Sequence, residues 1–112
     1  MKIEEHYPLQ EIHTFHLPVK TRYYVEYDNI DELCSFLSES PLLEQYPCYH
    51  MGGGSNLLFL HDYPGVILHS AIRFIEQVSA SDDSLVLRAG AGVVWDDFVK
   101  YCVENNWGGV EN

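Results

Sequence analysis

The chain has 112 residues, enough for one domain or a piece of one. Apolar residues make up 46% and charged residues 21%, a globular composition that excludes intrinsic disorder. The formal charge is −11, and the six Lys and Arg (Lys2, Lys20, Arg22, Arg73, Arg88, Lys100) are scattered; a nucleic-acid surface needs clustered cations to neutralise phosphates, so no nucleic-acid partner is expected.

No apolar run approaches the length of a membrane-spanning helix. Met1–His6 lacks the apolar run of a signal peptide, so the expected compartment is the cytoplasm, with no membrane partner. Cys34, Cys48 and Cys102 are odd in number and far apart. They read as free, mostly buried thiols.

Residues 1–20 are polar, carry Pro8 and Pro18, and read as an extended arm. Arg22–Tyr27 is aromatic and β-branched, hence a strand. Asn29 then caps a helix, with Glu32 at the N3 position. Ile30, Leu33, Cys34 and Leu37 fall at helical spacing and define its apolar face. Pro41 follows the helix end. A polar connection leads to a short strand, Pro47–Met51.

Gly52-Gly53-Gly54-Ser55-Asn56 follows, running into the extended Leu57–Leu60. A backbone without Cβ can take positive φ or admit a very close neighbour. Its successive N–H groups can form an anion nest, helped by the Ser55 hydroxyl. Taken alone, such a stretch is more often a tight hairpin turn.

His61–Gly65 reads as a turn and Val66–His69 as a buried strand. Arg73–Val78 alternates, Ser81–Ser84 is a hairpin turn, and Leu85–Ala89 returns as a strand. Gly90-Ala91-Gly92 breaks that strand. A second helix is expected over about 95–105, buried through Trp95, Phe98, Val99 and Cys102, with Asp96 and Asp97 in its first turn. The order gives an α+β fold, too strand-rich after residue 57 for a doubly wound sheet. The expected division is an arm (1–20), a small α/β unit carrying the glycine loop (21–60), and a strand-rich unit with the second helix (61–112).

Most candidate chemistry fails on composition. A phosphate-binding Walker loop needs a lysine after its glycines, and Ser55-Asn56 stands there instead. Gly90-Ala91-Gly92-Val93-Val94-Trp95 puts Trp where a dinucleotide fingerprint needs its third glycine. His13 and His16 are two metal ligands at most, and His6, His50, His61 and His69 stand at no ligand spacing, so no metal site is expected. Ser55 lacks a nucleophile-elbow context. Asp96 and Asp97 are adjacent on a helix and diverge. The glycine loop is the remaining chemical site. Lacking a cation, it suits a diphosphate within a large, mostly apolar cofactor.

Met51–Leu58, Ala89–Gly92, Trp95–Val99 and Trp107–Asn112, in that order, resemble the UDP-N-acetylenolpyruvoylglucosamine reductase (UDP-N-acetylmuramate dehydrogenase) family. Thr14-Phe15 matches the family's arm, although His13 and His16 depart from its usual residues. The Glu111-Asn112 ending is closer to the type I branch. The resemblance implies the N-terminal part of a vanillyl-alcohol-oxidase-type FAD-binding domain. Gly52, Gly53, Gly54, Ser55, Asn56 and Leu57 would then bind the FAD diphosphate. It also implies an NADPH-dependent reduction of a UDP-sugar for peptidoglycan synthesis. The family's catalytic residues lie past the position of Asn112, so none is expected within these residues, and the isolated piece is expected to be inactive and prone to self-association through uncovered strand edges. Two other readings stay open: a non-catalytic acidic α+β interaction module, and another flavoprotein of the same fold.

Overall fold

The computed structural model describes residues 1–10, 17–53 and 57–111. It contains β1 (Lys2–Pro8), β2 (Lys20–Tyr27), α1 (Ile30–Glu39), α2 (Leu42–Gln45), β3 (Cys48–Met51), β4 (Tyr63–Ser70), β5 (Ile75–Ala80), β6 (Leu85–Ala89) and α3 (Trp95–Glu104). The fold is α+β. It divides into two units, Met1–Ala71 and Ile72–Asn112.

The first unit is a four-stranded mixed sheet in the order β1-β2-β4-β3. β1 runs antiparallel to β2, whereas β4 runs parallel to both β2 and β3. β4 therefore inserts between the two strands that α1 and α2 connect, giving a split β-α-β arrangement. This insertion moves the unit boundary. Residues 61–71, grouped by sequence with the strand-rich half, belong to the first unit because β4 is the strand to which β2 and β3 both bond. The arm is also more than extended: residues 2–8 are a strand paired with β2. The turn read at His61–Gly65 shrinks, since β4 begins at Tyr63. The fit there is close. A Cβ at Gly65 would fall on the Pro47 carbonyl oxygen and within 2.8 Å of the Tyr63 ring. That carbonyl accepts the Val66 N–H at 2.8 Å.

Asn29 caps α1 as its residue type predicts, its side chain accepting the N–H groups of Asp31 (2.8 Å) and Glu32 (3.2 Å). The buried face differs from the expected one. α1 packs on β2, and its buried residue is Phe36, with Leu33 half-buried. Ile30, Cys34 and Leu37 are exposed. The larger aromatic surface of Phe36 takes the sheet side and turns the aliphatic stripe outward. The thiols differ for related reasons. Cys34 lies on that outward stripe and Cys48 on the edge strand β3, so both are exposed, and Cys102 is buried.

The second unit is a β5-β6 hairpin with α3. Ser81 N–H donates to the Ser84 carbonyl at 2.8 Å and closes the expected turn. Phe98 and Val99 of α3 are half-buried and Cys102 is buried. Trp95 is exposed and stacks on Phe98 with ring centres 5.5 Å apart. Asn106 ends the helix in the left-handed region (φ 60), and Trp107 N–H donates back to the Cys102 carbonyl at 2.9 Å. Gly90 is explained inside this unit: a Cβ there would fall on the Ile72 carbonyl oxygen.

Candidate functional site

The three parallel strands end side by side. Tyr27 of β2 pairs with Ser70 of β4, and Met51 of β3 pairs with His69. The glycine stretch leaves Met51 at these carboxyl ends, the edge of a parallel sheet at which ligands are generally bound. It opens the crossover from β3 to β4, which has no helix among its described residues.

Gly52 and Gly53 are exposed, and neither lies in the left-handed region of φ. A Cβ at either position would meet no atom within 4 Å among the described residues. The contrast with Gly65 and Gly90 is direct. Those two are glycine because the chain itself leaves no room for a Cβ. At Gly52 and Gly53 neither backbone conformation nor packing against the described residues requires glycine. Of the two uses glycine offered in the sequence, positive φ is absent here and close approach from outside remains. Gly54, Ser55 and Asn56 lie outside the described residues, as do His13, Thr14, Phe15, His16 and Asn112.

Leu57 anchors the far side of the stretch. It is half-buried, and with Phe59, Tyr63 and Tyr7 it packs on a cluster of Tyr24, Met51 and Ile67. Tyr7 stacks on Tyr24 with ring centres 4.1 Å apart. The glycine stretch is thus flanked by a buried Met51 and a half-buried Leu57.

One cross-strand row leads to the loop: Lys2 of β1, Glu26 of β2, His69 of β4 and Met51 of β3 are successive register partners. The Tyr24 hydroxyl lies 3.0 Å from Glu26 Oε1 and 2.8 Å from His69 Nδ1. Glu26 Oε1 is 3.8 Å from His69 Nδ1. Burial pushes the Tyr24 hydroxyl well above the usual tyrosine range, and its hydrogen bond to the Glu26 carboxylate adds to this. By sequence His69 stands at no ligand spacing and carries no role. Period-2 alternation puts Tyr24 with Glu26 and Ile67 with His69 on common faces. The pairing of β2 with β4 across 45 residues is what joins them, and no local pattern encodes that pairing.

His50 turns to the opposite face, 2.5 Å from the Tyr27 hydroxyl. Among the described residues no group of three or more His, Cys, Asp and Glu could hold a metal ion. Among them, too, no helix is long and apolar enough to cross a membrane. The larger cavities lie elsewhere. One of about 670 Å³ flanks α1 beside Phe36 and Glu39, and one of about 660 Å³ lies in the second unit beside Leu87 and Phe98. An extended ligand lying along a strand edge needs no such enclosure, so the loop remains the candidate site.

The fold and this loop define a class: an α+β chain with a split β-α-β sheet and a glycine-rich crossover at its carboxyl edge. No protein-family model matches the chain. Curated relatives do. The chain is 48% identical over 110 residues to the UDP-N-acetylenolpyruvoylglucosamine reductase of Bacteroides fragilis, covering 98% of this chain and 32% of that protein. It is 39% identical over 112 residues to the reductase of the same name from Porphyromonas gingivalis, covering 100% of this chain and 33% of the relative. With the Amoebophilus asiaticus reductase the identity is 36%, again over 112 residues. The chain is a homologue of one region of UDP-N-acetylenolpyruvoylglucosamine reductases and spans about a third of the length of the curated relatives it matches.

Proposed function

We propose that this chain supplies the diphosphate-binding loop of an FAD site, in a cytoplasmic reductase that acts on UDP-N-acetylenolpyruvoylglucosamine. Gly52–Leu57 hold the FAD diphosphate through backbone N–H groups and the Ser55 hydroxyl. The fold to which the chain contributes is then a vanillyl-alcohol-oxidase-type FAD-binding domain. The chemistry that FAD supplies when bound is hydride transfer from NADPH to the enolpyruvyl double bond, giving UDP-N-acetylmuramate for peptidoglycan.

The observation that carries this reading is the pair of glycines that nothing among the described residues requires, at the carboxyl edge of three parallel strands. The names of the relatives support it. What this chain's residues contribute is binding and orientation. Gly52 and Gly53 leave the backbone open to a phosphate oxygen. Met51 and Leu57, packed on Tyr24 and Ile67, fix the two ends of the loop.

The test is the flavin content of the purified full-length gene product and of its Gly53→Val variant. Wild-type protein carries a bound-flavin spectrum, and the variant folds without it. A folded wild-type protein with no affinity for FAD overturns the reading and favours the acidic interaction module.

A further inference from the structure

The glycine loop has no lysine or arginine, although an anionic ligand gains from a nearby positive charge. The row Lys2–Glu26–His69–Met51 brings one titratable imidazole to the strand position beside Met51, which is bonded directly to Gly52. We propose that Tyr24, Glu26 and His69 form a proton-sharing unit, and that protonation of His69 raises the affinity of the glycine loop for an anionic ligand. This rests on the reading of the loop as a diphosphate site.

The geometry limits how the unit can be arranged. The Tyr24 hydroxyl has one hydrogen and two neighbours, Glu26 Oε1 at 3.0 Å and His69 Nδ1 at 2.8 Å. When it donates to His69, Nδ1 is an acceptor and the imidazole is neutral. When His69 Nδ1 carries a proton and donates to the Tyr24 oxygen, Tyr24 donates to Glu26. The second arrangement satisfies all three groups in one direction and is the one an imidazolium requires. The Glu26 carboxylate, 3.8 Å from Nδ1, favours that charged form. No proton leaves the protein core through Tyr24, whose buried hydroxyl stays protonated throughout the physiological range.

Other charged and titratable groups among the described residues flank the unit. On β1, Lys2 lies beyond Glu26, its ammonium 3.3 Å from the Tyr7 hydroxyl, and Glu4 is the register partner of Tyr24. On β3, Tyr49 precedes Met51 by two positions, on the same face. Lys2 and Glu4 carry opposite charges at neutral pH, so among these described groups His69 is the one whose side-chain type can change charge near neutral pH.

The closing experiment has two arms. FAD binding to the full-length protein is followed by fluorescence quenching from pH 5.5 to 8.5. A unit charge gained within about 10 Å of a bound anion strengthens binding about three- to ten-fold at low salt. The wild type is expected to bind more tightly as the pH falls through the His69 titration. His69→Asn is expected to bind with a flat pH profile, and Glu26→Gln to move the midpoint to lower pH.

In the second arm, His69 is titrated by NMR without ligand, and Glu26→Gln is expected to lower its pKa. Flavin binding with no pH dependence in a wild type whose His69 does titrate overturns the coupling. An unshifted His69 in Glu26→Gln overturns the unit itself. If FAD does not bind at any pH, the diphosphate reading fails, and with it the coupling; the NMR arm still decides whether the three groups share a proton.

Discussion

Gly65→Ala and Gly53→Ala make the same chemical change at two positions where the structure gives glycine opposite reasons to be there. At Gly65 the added methyl falls on the Pro47 carbonyl oxygen and within 2.8 Å of the Pro47 and Tyr63 side chains. Backbone cannot yield as a flexible side chain does, so β4 or the segment before β3 must move. Forcing a methyl group into packed structure costs about 1–3 kcal/mol. The Val66 N–H to Pro47 hydrogen bond, 2.8 Å long, is strained or lost as well, adding about 1 kcal/mol. The sum is about 2–4 kcal/mol, which lowers the melting temperature by about 10–25 °C for a domain of this size. At Gly53 the methyl meets no atom within 4 Å and the φ is one that alanine tolerates. The expected change is nil to a gain of up to about 1 kcal/mol, from restricting the unfolded chain. Thermal denaturation followed by circular dichroism reads both variants. A Gly65→Ala protein that melts with the wild type, or a Gly53→Ala protein destabilised as much as Gly65→Ala, refutes the distinction on which the site assignment stands.

Three further outcomes are expected. Asn29→Ala removes the acceptor for two N–H groups of α1 and should cost about 1 kcal/mol in a denaturant titration; a loss below a few tenths contradicts the capping role. Tyr24 has its folded-state pKa raised above the ordinary 10.0, so the folded chain holds that proton more tightly than the unfolded one. The stability this contributes is complete below pH 10 and is lost as the pH rises past it. The denaturation midpoint should therefore fall above that pH, and less steeply in Tyr24→Phe; a midpoint that rises contradicts the sign. Cys34 and Cys48 are exposed and Cys102 is buried. A thiol-reactive chromophore should label two sulfurs quickly and the third only on unfolding, with Cys48 slower than Cys34 because partial burial of its thiol raises its pKa. Rapid labelling of Cys102 contradicts the packing of α3.

Much of the local structure was legible because its causes are local. Asn29 advertises a helix start through its short acceptor side chain. Ser81–Ser84 advertises a turn, and the β6 bounds Leu85–Ala89 follow from residue type and the glycine after them. What was illegible depended on partners far along the chain. Nothing near Val66–Leu68 says that β4 enters between β2 and β3, and that insertion sets the boundary at Ala71. The face of α1 was misjudged because helical spacing ranks Ile30, Leu33, Cys34 and Leu37 as a stripe, whereas the sheet beneath selects the bulkier Phe36. The glycine loop was visible as a candidate from composition. The reason for its first two glycines was not, since a glycine that fits the chain and one that leaves room for something else look alike in sequence. The Tyr24–Glu26–His69 unit was invisible for the same reason as β4: its members meet only through the register of non-adjacent strands.

The central claim is that the Gly52–Leu57 backbone holds a diphosphate. It is tested most directly by following the amide N–H resonances of Gly52 and Gly53 while FAD is added to the ¹⁵N-labelled full-length protein. The account predicts that these two amides shift strongly and saturably, together with Leu57, while Gly65 and Gly90 stay in place. Saturable FAD binding that leaves Gly52 and Gly53 unmoved would contradict it.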